Sequence, residues 1–194
     1  VLYLLLIACI TTRDVSEGEK GDDTGAFLPD DTDDTGEIDP ITLIDPTTLP
    51  AGDNPCREPI LVTVDYVVDG DTAYVDTPSG SEKVRFIGVD TPEVAHEGSA
   101  AECYGPDAQA FTRAQLEGRK VWLTFDGECT DYYDRTLAYV HTGTQEEDFF
   151  ERVLLRNGYA ETLAIEPNTS FEGLFSADER TARDADAGQW GDCP

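Results

Sequence analysis

Positive charge is scarce in this chain. Only 13 Lys and Arg stand against 41 Asp and Glu among 194 residues, for a formal net charge of -28. A broad basic footprint for nucleic acid is thereby excluded as the basis of any function. Long apolar runs are also missing: none reaches the ~18–20 residues that span a bilayer. Histidine is nearly absent. His96 and His141 lie far apart, show no metal-ligand spacing and have no Ser or Cys nucleophile paired with them, so a histidine-centred hydrolase is excluded. Both read as surface or turn residues. What is present is one domain's worth of apolar sequence, 39% of the chain, with some surplus length. Five cysteines, an odd number, need separate explanations.

The chain divides into three segments. Val1–Cys9 is uncharged and too short to cross a membrane. It reads as the end of a secretory apolar region, and Leu6-Ile7-Ala8-Cys9 resembles a bacterial lipobox. That resemblance implies cleavage before Cys9 and lipidation of its thiol. Residues 10–55 hold 13 acidic residues and two basic ones, Arg13 and Lys20, within strings such as DDTDDTGEIDP. Such a stretch buries too little apolar surface to offset chain entropy, and its like charges repel. It is expected to be a disordered acidic linker. It lacks the Gly and final Glu of an EF-hand loop. Residues 56–194 are expected to be the folded domain.

Within that domain, Ile60–Val67 is β-branched and apolar and reads as a strand. Asp69-Gly70 makes a tight turn, and Thr72–Val75 alternates as a second strand. Lys83–Val89 is a third, with Val84, Phe86 and Gly88 on one face and Arg85, Ile87 and Val89 on the other. A helix is expected from Gly105-Pro106, with Asp107 in its first turn and Gly118 as its stop. Val121–Phe125 and Leu137–His141 read as strands, and Phe149–Asn157 and Phe171–Ala187 as helices. Five short strands with three helices and no βαβ repeat favour an α+β, mainly β domain: a small Greek-key barrel carrying helices.

Three clusters carry chemistry. Val68-Asp69-Gly70-Asp71-Thr72 aims Asp71 out of a strand end. Arg85 is followed by Asp90-Thr91-Pro92-Glu93, two carboxylates with a stiff turn between them. Asp134-Arg135-Thr136 heads the Leu137 strand. Together these parts suit phosphoryl chemistry. Hard carboxylate oxygens hold Ca²⁺ or Mg²⁺, two arginines brace a phosphate, and a further carboxylate orients or deprotonates water.

From Ile60 to Trp190 the chain resembles the thermonuclease (staphylococcal nuclease) family, over about two thirds of its length. The matching strings are VVDGDT, VRFIGVDTPE, CYGPDAQAFT, DYYDRTLAYV, LLRNGYA and EPNTS. The resemblance implies a five-stranded OB-fold β-barrel with three helices. It implies a calcium-dependent phosphodiesterase acting on DNA and RNA and leaving 3′-phosphates. Asp71 and Asp90 would be metal carboxylates, with the Thr91 carbonyl as a third ligand. Arg85 would bind the scissile phosphate, Glu93 would position or deprotonate water, and Arg135 would meet transition-state charge. Tyr133 would touch a substrate phosphate more weakly. Two departures stand out. Where the family has a pair of base-contacting tyrosines, this chain reads Leu163-Ala164-Ile165-Glu166. Residues 56–194 also carry 28 acidic against 11 basic residues (41 less 13, and 13 less 2), whereas familiar members are basic.

With Cys9 assigned to lipid, Cys56, Cys103, Cys129 and Cys193 remain, and three pairings are open. Cys103 and Cys129 both lie in loops near the chemical clusters, and Cys56 and Cys193 bracket the domain. The expected pairs are therefore Cys103–Cys129 and Cys56–Cys193. The expected setting is an exported, monomeric bacterial protein, held through Cys9 at the outer membrane or cell surface. Competing functions are a non-catalytic binding module on the same barrel and an acidic calcium-binding or adhesive surface protein. The five chemical residues Asp71, Arg85, Asp90, Glu93 and Arg135 favour the enzyme.

Overall fold

The computed structural model describes residues 38–194. The expectations for Cys9 and for residues 10–37 lie outside the described residues. Strands β1 (Ile60–Val67), β2 (Thr72–Thr77) and β3 (Gly80–Phe86) form an antiparallel meander. After β4 (Gly88–Asp90) and α1 (Gly105–Leu116) come β5 (Lys120–Thr124) and β6 (Thr136–His141). Then follow α2 (Phe150–Arg156), β7 (Glu161–Leu163), α3 (Glu172–Asp184) and the short α4 (Gln189–Asp192). The barrel closes in the order β1-β2-β3-β6-β5. This is the expected OB-fold barrel, and the three expected helices are α1, α2 and α3. Among the described residues, no helix is long and apolar enough to cross a membrane.

Strand alternation builds the core. Val62, Val64 and Val67 of β1 are buried. A bulge between Val64 and Tyr66 shifts the register, so Asp65 and Tyr66 both face solvent before Val67 turns back inward. Val75, Val84, Phe86, Val121, Leu123 and Val140 complete the barrel interior. Beside it, Tyr139, Phe149, Phe171 and Phe175 pack largely edge to face. Between α2 and α3, Arg152 and Arg156 clasp Asp178 at 2.6 and 2.8 Å. Burial pushes the Asp178 carboxyl up, but the two guanidiniums outweigh it and hold it below the usual range.

The expected strand Lys83–Val89 is broken in two. Gly88 adopts φ +83, and a Cβ there would lie 2.5 Å from the Phe175 ring. At this kink the chain leaves the barrel, and β4 pairs with β7 in a separate two-stranded sheet, Val89 opposite Thr162. Ile87 and Val89 are consequently buried beside Val84 and Phe86 instead of sharing an outer face with Arg85.

Residues 38–55, expected as linker, are packed on the barrel. Two 3₁₀ turns, Pro40–Leu43 and Pro46–Thr48, are capped by Asp39 and Asp45, whose carboxylates accept the N–H of Ile41 and Thr47. Ile41 and Leu49 are buried. Trp122 Nε1 donates to Ile41 O (3.0 Å) and Thr124 Oγ1 to Pro50 O (2.6 Å). The acidic, Pro- and Thr-rich composition of this stretch is capping chemistry, not the mark of a free tether. His141 is also not a surface residue: it is buried at the end of β6, with Nε2 within 3.1 Å of Pro50 O and 2.9 Å of Thr124 Oγ1.

The disulfides differ from expectation. They join Cys56 to Cys129 and Cys103 to Cys193. The antiparallel pairing of β1 with β5 sets Ile60 opposite Leu123, so the chain entering β1 lies beside the chain leaving β5. Cys56 N–H donates to Asp126 O (2.7 Å), which brings Cys56 alongside Cys129. Cys103, just before α1, is left to meet Cys193 at the end of α4.

Candidate active site

The β1–β2 turn places Asp71. Asp69 Oδ1 accepts the Asp71 N–H (3.1 Å), and Val68 N–H donates to Thr72 O (2.8 Å). A Cβ on Gly70 would sit 2.7 Å from the Thr91 side chain, so glycine lets the turn lie against Thr91. Thr112 Oγ1, from α1, fastens the turn by donating to Gly70 O (2.7 Å). Asp71 is buried, and its oxygens are oriented. Oδ2 accepts from Thr91 N–H (2.8 Å) and Thr91 Oγ1 (3.1 Å), and Oδ1 accepts from Thr72 Oγ1 (3.0 Å).

Arg85 stands opposite Thr72 on β3. Its Nε lies 3.1 Å from Asp71 Oδ1, and its Nη2 donates to Asp90 Oδ1 at 2.8 Å. Nη1 donates to the carbonyls of Phe86 (2.8 Å) and Val89 (2.6 Å). The Gly88 kink makes this possible, because it folds β4 back so that Val89 and Asp90 reach the arginine four and five residues earlier. One guanidinium thus joins two carboxylates that are 19 positions apart in sequence (90 less 71).

Glu93 sits in the loop before α1. Its backbone is fixed twice by Glu102: Glu93 N–H donates to Glu102 Oε2 (3.0 Å), and Glu102 N–H donates to Glu93 O (2.9 Å). Gly105 backs this loop so closely that a Cβ would meet Glu93 O at 2.2 Å. The Glu93 side chain is exposed and, among the described residues, makes no hydrogen bond or ion pair.

Arg135 enters from the loop before β6. Asp131 organises that loop: Oδ1 accepts the N–H groups of Tyr133 and Arg135 (both 2.9 Å), and Oδ2 pairs with Arg135 Nε at 2.7 Å. Burial raises the Asp131 carboxyl, but these Arg135 and Tyr133 donors outweigh it and hold it below its ordinary range. Arg85 and Arg135 line one cavity of about 370 Å³. Tyr133 does not line this cavity; its side chain is exposed, with the Arg135 guanidinium 5.6 Å from its ring centre.

Carboxylates outnumber cations around Arg85. Burial, then the neighbouring Asp71, push Asp69 up to about 6. Asp90 is also raised, by burial first and then by Asp71 and Glu102, with Arg85 opposing. Among the described residues, no three Asp, Glu, His or Cys side chains converge to hold a metal unaided. Asp71 and Asp90, which share Arg85, nevertheless offer carboxylate oxygens with negative charge in excess. Such an all-oxygen set would suit a hard dication. Soft or histidine-preferring metals do not fit it.

The structure therefore links Asp71, Arg85, Asp90 and Thr91 through direct contacts and places Arg135 on the cavity that Arg85 lines, while Asp90 and Thr91 line a neighbouring one with Glu102. Sequence reasoning missed Asp131 and Glu102, which position Arg135 and Glu93. Asp131 had a readable signal: an Asp two residues before Tyr133 and four before Arg135 is the spacing of a side chain that closes its own turn. Glu102 had none, because its partner lies across a nine-residue loop.

Comparison with known proteins identifies the family. The family model described as staphylococcal nuclease homologue matches residues 83–192, which include Arg85, Asp90, Glu93 and Arg135 but not Asp71. A thermonuclease of Staphylococcus intermedius is 35% identical over 127 residues, 66% of this chain and 74% of the relative. A thermonuclease of Staphylococcus hyicus is 34% identical over 124 residues, 64% of this chain and 72% of the relative. Endonuclease YncB of Bacillus subtilis strain 168 is 34% identical over 131 residues, 66% of this chain and 61% of the relative. With a closed five-stranded barrel and these matches, the chain belongs to the staphylococcal nuclease homologue family.

Proposed function

We propose that this protein is a calcium-dependent nuclease that hydrolyses phosphodiester bonds of DNA and RNA. The observation that carries the reading is the single Arg85 guanidinium shared by Asp71 and Asp90 on a cavity that also holds Arg135. Membership of a family whose relatives are named thermonucleases and endonucleases supports it.

In this reading Asp71, Asp90 and the Thr91 carbonyl hold the ion. When bound, Ca²⁺ supplies Lewis-acid neutralisation of the scissile phosphate. The chain's own residues do the rest. Arg85 donates to a phosphate oxygen. Arg135, held in place by Asp131, donates to the oxygen on which charge builds as water attacks phosphorus. Glu93, exposed on its doubly fixed loop, orients the water or takes its proton. The new P–O bond forms as the bond to the 5′-oxygen breaks; that oxygen takes a proton from solvent and leaves as a 5′-hydroxyl, and the phosphate stays on the 3′-oxygen. Digestion of labelled single-stranded DNA and RNA in calcium, against the same reaction in EGTA, tests this. Cleavage only with calcium, with 3′-phosphate ends by mass spectrometry, is expected. Undiminished cleavage in EGTA, or 5′-phosphate ends, would contradict it.

Lipid anchoring is part of the same proposal and rests on the Leu6-Ile7-Ala8-Cys9 string. A precursor expressed in bacteria should partition with membranes, and Cys9→Ser should release it or leave it unprocessed. Unchanged mass and partition in that variant would remove the anchor.

A further inference from the structure

The Cys103–Cys193 disulfide lies at the end of the loop that carries Glu93. Cys103 directly follows Glu102, whose carboxylate accepts the Glu93 N–H and whose N–H donates to Glu93 O. Among the described residues, little else holds this loop. Glu93 and residues 95–103 are all exposed, so the segment buries almost no apolar surface. Its remaining backbone ties, His96 with Ser99 and Glu102 O with Gly105 N–H, are local. Tyr104, which joins the loop to α1, takes φ +72, a left-handed conformation that a non-glycine residue keeps only when its surroundings hold it there.

The other end of the disulfide is firm. Cys193 N–H donates to Gln189 O (3.0 Å) at the end of α4, and Gln189 N–H donates to Gly158 O (3.0 Å) in the turn after α2. That turn lies so close to Ala187 that a Cβ on Gly158 has no room. One covalent bond thus ties a thinly held loop to a well-packed end of the domain. Both sulfurs are within reach of a small reductant, since Cys103 is exposed and Cys193 half-buried.

We propose that Cys103–Cys193 is a thiol-sensitive clamp that sets the enzyme's rate by holding Glu102 against Glu93. The proposal rests on the nuclease reading and adds its regulation. A dithiol opens the clamp: its thiolate attacks one sulfur, the S–S bond breaks as a mixed disulfide forms, and its second thiol then closes the reductant's own disulfide. Two electrons and two protons pass to Cys103 and Cys193, which become thiols. Tyr104 is then free to leave its left-handed conformation, Glu102 moves with it, and Glu93 loses both hydrogen bonds. Reducing surroundings keep the enzyme slow, and oxidising ones close the clamp.

Dithiothreitol is the probe. Alkylation and peptide mapping identify wild-type protein in which Cys103 and Cys193 are free while Cys56–Cys129 is intact, and Cys103→Ser/Cys193→Ser gives the open state without reductant. In either open form that circular dichroism shows to be folded, kcat on single-stranded DNA in calcium should fall about 10- to 100-fold with little change in KM. Reoxidation of the wild type should restore it. In Glu93→Gln, already slow, opening the clamp should cost about two-fold or less, because the clamp acts through Glu93. Unchanged kcat in the open form, or an equal loss in Glu93→Gln, overturns the proposal while the nuclease reading stands. Amide exchange reads the clamp without catalysis: opening should speed exchange of the Glu93 and Glu102 N–H groups about 10-fold or more and leave β1 to β3 unchanged. A protein that cuts nothing but shows this exchange sinks the nuclease reading and keeps the clamp, whereas equal protection in the open and closed forms overturns the clamp.

Discussion

Asp131 holds the Arg135 guanidinium in place, and the proposed role of Arg135 depends on that hold. A long guanidinium on a loop loses rotamer entropy when it meets a phosphate. Three contacts from one carboxylate, to Tyr133 N–H, Arg135 N–H and Arg135 Nε, remove most of that freedom beforehand. Asp131→Ala is therefore expected to lower kcat about 10- to 100-fold, less than loss of Arg135 itself, which would remove the proposed transition-state donor and should cost about 10²- to 10³-fold. Asp131→Asn keeps an oxygen acceptor for the backbone N–H groups and should recover part of the loss. A kcat defect that Asn does not relieve, or a purely thermal defect at full kcat, would contradict a positioning role.

At the level of elements, much was legible. Val62 and Val64, the Asp69-Gly70 turn and the Gly105-Pro106 helix start are short-range signals, and their elements stand where the sequence puts them. What failed depends on partners distant in the chain. The Gly88 kink needs Phe175 behind it. The Pro40–Leu43 turn looks like linker until Trp122 is found against Ile41 O. Cysteine pairing followed strand pairing, since the Ile60–Leu123 register decides which ends meet, whereas nearness to the domain's ends in sequence does not. Of the site, the Asp and Arg residues were readable and their bracing was not. Peptide mapping without reduction should recover Cys56–Cys129 and Cys103–Cys193 peptides; Cys103–Cys129 linkage would contradict this fold. Replacing Cys56 and Cys129 by Ser opens a loop of 73-residue separation. That should cost about 4 kcal/mol in the chain-entropy model, read by denaturant unfolding.

Across the whole molecule, acidity and burial set the pH response. His141 lies between the 38–55 strap and the barrel, where burial drives it from 6.5 down to about 4, with the Pro50 carbonyl opposing. The folded state therefore keeps it neutral while the unfolded chain takes up a proton below 6.5. Its contribution is complete above pH 6.5 and is lost as pH falls toward 4, by on the order of 3 kcal/mol. Glu151, fully buried and accepting the Val140 N–H at 3.0 and 3.2 Å, is raised by burial. It acts in the opposite sense, favouring the folded state at low pH and losing that benefit as pH rises above its unfolded value. Thermal melts of wild type and His141→Gln between pH 7 and pH 4 separate the two, and the variant should show the shallower loss of Tm on acidification. Parallel curves would remove His141 as the cause.

Arg85 and Arg135, on one cavity, are proposed to act on one phosphate. That proposal is tested most directly by the rate of calcium-dependent cleavage of single-stranded DNA by Arg85→Ala and Arg135→Ala, each first shown by circular dichroism to melt near wild type. Both variants should be slower by about 10²-fold or more. Wild-type rates in both folded variants would contradict the account.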